Sequence, residues 1–262
     1  MELENIKREL AKHNKYSNLI AKLDAISPPP HSFIFEAVFA HGSVESNLDF
    51  QYEINITPNN NTTVDFVYEI NDKYKLCFEL LRPDLSASLK VATEPQKTDI
   101  DGVKSWEVLI ESNHPNEHLR PEAPTIRLQE KLLEKVEKFP EPSDYIFSTI
   151  VVDCTEFHFG YFDSNDCCMV MYGKTKIPEL QEFWDKHPIL GLLNPSLNKR
   201  QAEDFRTKVT SVIFIPEITD DLLDNSFLVL NHHRTEEHLQ DFWRTISKYK
   251  FFHGLKFLPF PS

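Results

Sequence analysis

The sequence predicts an α/β protein with a mixed central sheet flanked by helices. Residues 64–81 alternate at period two and predict a β-hairpin, residues 124–139 predict an amphipathic helix, and residues 145–152 are almost continuously apolar. Such an apolar run is typical of a strand buried on both faces, and strands that alternate with helices are typical of α/β domains. With 262 residues, 40% of them hydrophobic, the chain is long and apolar enough to bury a sizeable core.

The hairpin is the most regular segment of the chain. Residues 64–70 and 75–81 flank Asn71-Asp72-Lys73, whose composition is typical of a turn. If these three residues form the loop, the residue numbers of every cross-strand pair sum to 144, and Asp65 lies directly opposite Glu79. One continuous apolar face is then shared by Val64, Phe66, Tyr68, Leu76, Phe78 and Leu80.

The other elements are predicted from apolar periodicity and turn residues. Before the hairpin we expect a helix at 3–25, a stiff spacer at Pro28-Pro29-Pro30, a short helix from Ser32, which caps it, to Ala40, and a strand at 48–57. After it we expect a long polar loop at 83–124, helices at 178–186, 199–207 and 235–247, strands at 211–215 and 227–230, and an apolar, proline-rich tail. These elements predict an N-terminal helix and linker at 1–30, a core at 31–160, and a C-terminal α/β extension at 161–262 packed on that core.

Composition narrows the classes of function. The net charge of −13 disfavours tight nucleic-acid binding by the isolated chain without excluding it, and an acidic surface suits a protein partner. Only six glycines are present and no G-x-G-x-x-G or Walker sequence occurs, so dinucleotide binding and P-loop chemistry lack support. The N-terminus has no signal-peptide core and no run reaches the length of a membrane span, so we expect a cytoplasmic protein with no membrane partner.

The four cysteines predict no disulfide framework and no zinc site. Cys77, Cys154, Cys167 and Cys168 lack C-x-x-C spacing, and three of them lie in or beside apolar runs that resemble strands. Buried free thiols in a reducing compartment are the better interpretation.

Asp65 and Glu79 are the first candidate site. Two like charges that face each other across a ladder are unfavourable unless a positive charge lies between them, and a divalent cation is one such charge. The alternative is a solvated sheet face on which water and salt screen the repulsion.

A wider pattern connects this pair with Glu36 on a predicted helix and Gln129 on the helix at 124–139. Over residues 32–155 the order of these residues resembles the PD-(D/E)xK, or restriction-endonuclease-like, superfamily. The resemblance implies a restriction-endonuclease-like core in which Asp65 and Glu79 bind Mg²⁺. Glu36, as the acidic residue of the first helix, is a third candidate metal ligand, and Gln129 matches the glutamine of the later helix. Mg²⁺ held by such oxygen ligands would clamp a phosphodiester and activate a bound water, which is nuclease chemistry.

The chain departs from that pattern at Leu81, where the superfamily has a lysine. Some branches supply the amine from the following helix, which here offers Lys131 and Lys135. On a helical wheel Lys135 borders the apolar face, whereas Lys131 is turned further out. Both lysines also alternate with glutamates, as in ordinary helical charge pairing, and Gln129 could instead satisfy a buried backbone group.

Two functions therefore stay open. The first is a Mg²⁺-dependent nuclease, with Asp65, Glu79, Gln129, Lys131 and Lys135 as candidate catalytic residues and nucleic acid as its partner. The second is a non-catalytic, protein-binding module on a nuclease-like scaffold. Leu81 and the net charge of −13 favour the module, and the facing carboxylates favour the enzyme.

Overall fold

The computed structural model describes residues 2–56, 62–70, 73–83, 98–100, 103–105, 120, 122–155, 162–219 and 221–259. These residues form eight α-helices around a seven-stranded mixed sheet, so the predicted α/β class is confirmed. The helices are α1 Leu3–Leu10, α2 Ser17–Ala25, α3 His31–Glu45, α4 Ala123–Lys135, α5 Ser164–Tyr172, α6 Gln181–Lys186, α7 Arg200–Lys208 and α8 Glu236–Ile246. None of them has the length and apolar character that crossing a bilayer requires, within the described part of the chain.

The strands of the sheet come from both halves of the chain. They are β1 Gln51–Ile54, β2 Val64–Ile70, β3 Tyr74–Leu81, β6 Ile146–Asp153, β7 Ser211–Ile215, β8 Phe227–Leu230 and β9 Lys256–Leu258, in the spatial order β1-β2-β3-β6-β7-β8-β9. A separate two-stranded ladder consists of β4 Thr98–Ile100 and β5 Val103–Ser105. Pairing is antiparallel for β1/β2, β2/β3 and β7/β8, and parallel for β3/β6, β6/β7 and β8/β9. The C-terminal region therefore continues the same sheet as the hairpin.

The predicted hairpin register is confirmed for the five pairs from Phe66–Phe78 to Ile70–Tyr74, and Asp65 and Glu79 lie just beyond this ladder. Phe66 pairs with Phe78 and Glu69 with Lys75, so the residue numbers of each pair sum to 144. One consequence that we drew from it is wrong, because Val64 packs in the core on the opposite side of the sheet from Phe66. The ladder between β2 and β3 ends at the Phe66–Phe78 pair. Beyond it, the side chains of Asp65 and Glu79 accept the backbone N–H groups of Leu80 and Asp65, and strict alternation is not maintained at Val64.

Two hydrophobic cores cover the two faces of the sheet. Helices α1, α2, α3 and α8 pack on one face, where Phe39 contacts Phe50, Phe66, Phe78 and Phe251 with ring centroids 4.9–5.6 Å apart. Helices α4, α5 and α7 pack on the other face around Ile150, Val152 and Phe214 of the central parallel strands. Strand β6 contributes to both cores, as its apolar sequence predicts.

Several element boundaries differ from the predictions. The helix expected at 3–25 is interrupted around residues 11–16, where a short 3₁₀ turn separates α1 from α2. Helix α3 begins at His31 after Pro30, with no side-chain cap from Ser32, and runs to Glu45 because its all-round apolar sequence is buried against the sheet. The strand predicted at 48–57 is shorter, at Gln51–Ile54.

Four elements were not predicted, and two of them are the short strands β4 and β5, which lie in the region expected to be a polar loop. Helix α5 contains Cys167 and Cys168, and it begins with a capping box in which Asp163 and Asp166 each accept a backbone N–H of the other. Strand β9 lies in the apolar tail. The four cysteines are free and buried, as expected. Most of the polar region predicted at 83–124 lies outside the described residues.

Candidate functional site

The two carboxylates predicted to face each other are buried together at the open end of the β2–β3 hairpin. Asp65 is 8% exposed and Glu79 is 0% exposed. The backbone N–H of Asp65 donates to Glu79 Oε1 at 3.1 Å, and the backbone N–H of Leu80 donates to Asp65 Oδ2 at 2.8 Å. Because both groups are buried, screening by solvent does not explain how their repulsion is tolerated.

Two lysines supply the compensating charge. Lys138 Nζ lies 3.3 Å from Asp65 Oδ1 and 2.8 Å from Glu79 Oε2, so its ammonium bridges the two carboxylates. Lys135 Nζ lies 3.2 Å from Glu79 Oε2 and 4.0 Å from Asp65 Oδ2. The four side chains form a compact set of two negative and two positive charges, which we call the Asp65–Glu79 cluster.

Both lysines reach the cluster because of the way that α4 ends. The helix runs to Lys135, and residues Val136–Lys138 then form a 3₁₀ turn. Side chains at i and i+3 eclipse each other in a 3₁₀ turn, so Lys138 lies on the same side as Lys135. Leu132 and Val136 are buried beside them and fix this face of α4 against the sheet. Sequence reasoning missed Lys138, although its spacing of three residues from Lys135 was a signal that could have found it.

The cluster perturbs the ionisation of its members. Burial, reinforced by the charge of Asp65, raises the pKa of Glu79 from 4.5 to about 7, although Lys135 and Lys138 act in the opposite direction. Burial also lowers the pKa of Lys138, but Asp65 and Glu79 outweigh it and the net change is upward. Burial and the charge of Asp65 therefore outweigh the two lysines, and a bound cation would favour the ionised form of Glu79.

Glu36 lies close to the cluster on α3. Its Oε2 accepts a hydrogen bond of 2.5 Å from the hydroxyl of Tyr52, which in turn accepts one of 3.1 Å from Lys22 Nζ. Burial and the charge of Asp65 raise the pKa of Glu36, and the Tyr52 hydrogen bond opposes that change. The predicted third carboxylate is thus within electrostatic reach of Asp65, with a hydrogen-bond network of its own.

Gln129 and Lys131 are not brought into the cluster. The side-chain amide of Gln129 donates to the carbonyl oxygens of Val170 at 2.9 Å and Leu190 at 3.0 Å, which ties α4 to the end of α5. Gln129 therefore satisfies buried backbone groups, which was the alternative to a catalytic role. Lys131 Nζ donates to Glu134 at 2.8 Å, as in ordinary helical charge pairing.

A row of basic residues follows α4 outward from the cluster. Arg127, Lys131, Lys135 and Lys138 are spaced by four, four and three residues, so they lie along one side of the helix over about 16 Å. Each is partly exposed. In a chain of net charge −13 this row is a local basic strip that leads into the carboxylates, although exposed glutamates of the same helix border it.

The oxygen donors of Asp65 and Glu79 have the chemistry that a hard divalent cation requires. Mg²⁺ commonly binds through one or two carboxylates and keeps several waters, and the ammonium of Lys138 already occupies a position between the two groups. Within the described ranges, no group of three or more His, Cys, Asp or Glu side chains is arranged to hold a metal ion. A site here would therefore use two carboxylates and water.

Comparison of the chain with protein-family models, with curated proteins and with solved structures finds no match.

Proposed function

We propose that the Asp65–Glu79 cluster is the active site of a Mg²⁺-dependent phosphodiesterase that acts on nucleic acid. The observation that carries the proposal is the convergence of two buried carboxylates on adjacent strands with amines from the following helix. The element order α3-β1-β2-β3-α4-β6, with β6 parallel to β3, also supports a restriction-endonuclease-like core. Lys135 or Lys138 takes the role that Leu81 cannot fill.

Three members of the cluster, Asp65, Glu79 and Lys135, have distinct roles in this proposal. Asp65 and Glu79 are the metal ligands, and a bound Mg²⁺ would polarise the phosphodiester and lower the pKa of a coordinated water. Lys135, whose Nζ lies 3.2 Å from Glu79 Oε2, would donate to a phosphate oxygen or orient the attacking water. Arg127 and Lys131 extend the basic row and contact neighbouring phosphates, which is how a protein of net charge −13 attracts a polyanion locally.

Burial is the energetic argument for function over stability. A buried ion pair seldom stabilises a fold more than apolar residues of the same volume, because each charge loses its hydration. A buried group that has a strongly perturbed pKa and a specific charged partner is therefore a candidate functional residue. Glu79 meets both conditions.

A second function is favoured by one specific observation. Every carboxylate oxygen of the pair already has a protein partner: Lys138 for Asp65 Oδ1, Leu80 N–H for Oδ2, Asp65 N–H for Glu79 Oε1, and both lysines for Oε2. A cluster satisfied in this way can serve as an internal brace in a non-catalytic protein-binding module.

A cleavage assay on single-stranded and duplex DNA and RNA, with Mg²⁺ or Mn²⁺, distinguishes the two functions. We expect metal-dependent cleavage that falls by about 10²–10⁴-fold in Asp65→Asn, Glu79→Gln and Lys135→Met. Glu69→Gln and Lys75→Met are matched controls, because both side chains lie at the other end of the hairpin and outside the proposed site. Absence of cleavage on all four substrates, or equal cleavage by the cluster variants, would overturn the phosphodiesterase proposal.

A further inference from the structure

An exposed apolar groove lies between α8 and the edge of the sheet at β9. Its volume is about 490 Å³, and its apolar lining comes from Leu230, Leu239, Trp243 and Phe257. Trp243 is 43% exposed and Phe257 is 50% exposed. Strand β9 ends the strand order on this side of the sheet in the part of the chain that the structure describes. Two neighbouring aromatic rings exposed in one groove mark an interaction surface.

A charged row runs along the same face of α8. Gln240 Nε2 donates to Glu236 Oε1 at 3.0 Å, and Arg244 Nη2 donates to Gln240 Oε1 at 3.4 Å. Arg244 Nη1 also donates to Asp241 at 3.1 Å. The row is negative at Glu236, neutral at Gln240 and positive at Arg244, and its ends are eight residues, or about 12 Å, apart along the helix.

This arrangement of charge is complementary to itself. We propose that the groove is the contact face of a twofold-symmetric dimer, in which α8 packs antiparallel to α8 of a second copy of the chain. Rotation about an axis near Gln240 brings Glu236 of each copy against Arg244 of the other copy, so one contact is made twice. The two Trp243 rings and the two Phe257 rings lie between these charged ends and become covered.

The distribution of charge along α8 is compatible with a second copy at this face. Molecules of net charge −13 repel each other, so self-association requires a surface on which both signs are present and correctly spaced. The row on α8 provides such a surface, whereas a uniformly acidic face does not. Lys256 at the start of β9 is exposed, and lysine on an edge strand opposes strand pairing. The contact therefore uses α8 and Phe257, with no ladder between two β9 strands.

Sedimentation velocity over a concentration series tests the dimer on the full chain. We expect a monomer–dimer equilibrium for the wild type. In Glu236→Arg and in Arg244→Glu the dissociation constant of the dimer should be at least tenfold larger, because each change places like charges together twice. An equimolar mixture of these two variants should recover dimers, since the two substituted side chains then meet with opposite charges at one end and the native pair remains at the other. Both positions are exposed, and circular dichroism verifies that each variant is folded.

Lys186→Glu is the matched control, because it makes the same kind of charge reversal on exposed α6, away from the groove. It should leave the dissociation constant unchanged. A wild type that stays monomeric throughout the series would overturn the proposal. So would a dimer that neither charge reversal weakens, or a mixture of the two variants that stays monomeric. Each result is independent of nuclease activity.

Discussion

The two ends of the β2–β3 hairpin carry ionic groups in opposite environments. At the turn, Lys75 Nζ lies 2.6 Å from Glu69 Oε1, and both side chains are 44% exposed. At the open end, the Glu79 side chain is 0% exposed and its partners Lys135 and Lys138 belong to a different element. The first pair is local in sequence and surrounded by water, and the second set is distant in sequence and buried.

This difference predicts how much each set of charges affects the stability of the fold when one partner is removed. An exposed pair contributes about 0–1 kcal/mol, because water already stabilises its charges. A buried set contributes little net stability when complete, yet removal of one partner leaves an uncompensated charge in the interior. The open end of the hairpin is therefore sensitive to substitution although it is not a source of stability, a combination typical of functional sites.

The largest expected effect comes from removing the cations at the open end. We expect Lys135→Met/Lys138→Met to lower the free energy of unfolding by about 3–5 kcal/mol at pH 8, because Asp65 and Glu79 are left buried and unpaired. Urea denaturation followed by circular dichroism measures this change. A loss below about 1 kcal/mol, the value typical of an exposed pair, would contradict the burial of the cluster.

The second effect concerns the pH dependence of Glu79. Its pKa is about 7 in the folded state and 4.5 in the unfolded chain, so the folded state binds more protons between these values and the free energy of unfolding falls as pH rises. Glu79→Gln removes this titration. The variant should therefore gain stability relative to the wild type between pH 5 and pH 8, by on the order of 3 kcal/mol.

Comparison of the wild type with Glu79→Gln also separates the titration of Glu79 from the titration of other groups. Burial lowers the pKa of His238 to about 4, which makes both proteins less stable as pH falls below 6.5, and that change cancels in the difference. Denaturation of both proteins at four pH values gives the curve. A difference that does not vary with pH would show that Glu79 is ionised normally.

The smallest effect is expected at the turn. Glu69→Gln and Lys75→Met should each change the free energy of unfolding by less than about 1 kcal/mol, and a double-mutant cycle should give a coupling energy of a few tenths of a kcal/mol. Added salt should reduce that coupling further, because both groups are exposed. A coupling above about 2 kcal/mol would remove the contrast between the two ends of the hairpin.

The sequence predicted the charged residues that approach each other within the hairpin itself. Register follows from alternation and turn length, so it identified both the Glu69–Lys75 pair and the proximity of Asp65 to Glu79. It named Lys135 as a candidate amine, and that side chain contacts Glu79, but it missed Lys138, which lies just after the end of the same helix. The spacing of three residues keeps Lys138 on the same side as Lys135, both in an α-helix and in the 3₁₀ turn at Val136–Lys138.

Other elements and contacts that the sequence did not predict have related physical causes. Helix α5 is buried on nearly all sides, so its sequence shows no amphipathic period, and its only local signal was the spacing of Asp163 and Asp166. Strand β9 is three residues long and exists because β8 pairs with it. Helical periodicity placed Gln129 on the inner face of α4, but only the tertiary structure shows that backbone carbonyls of Val170 and Leu190 accept its amide hydrogens.

The central claim is that the open end of the hairpin binds a divalent cation through Asp65 and Glu79. Calorimetric titration of Mn²⁺ and Mg²⁺ into wild type, Asp65→Asn/Glu79→Gln and the control Lys131→Met tests it most directly. We predict saturable binding by the wild type and the control, and none by the double variant, with all three proteins folded. Absence of binding by the wild type, or binding that survives in the double variant, would contradict the claim and leave the cluster as an internal brace.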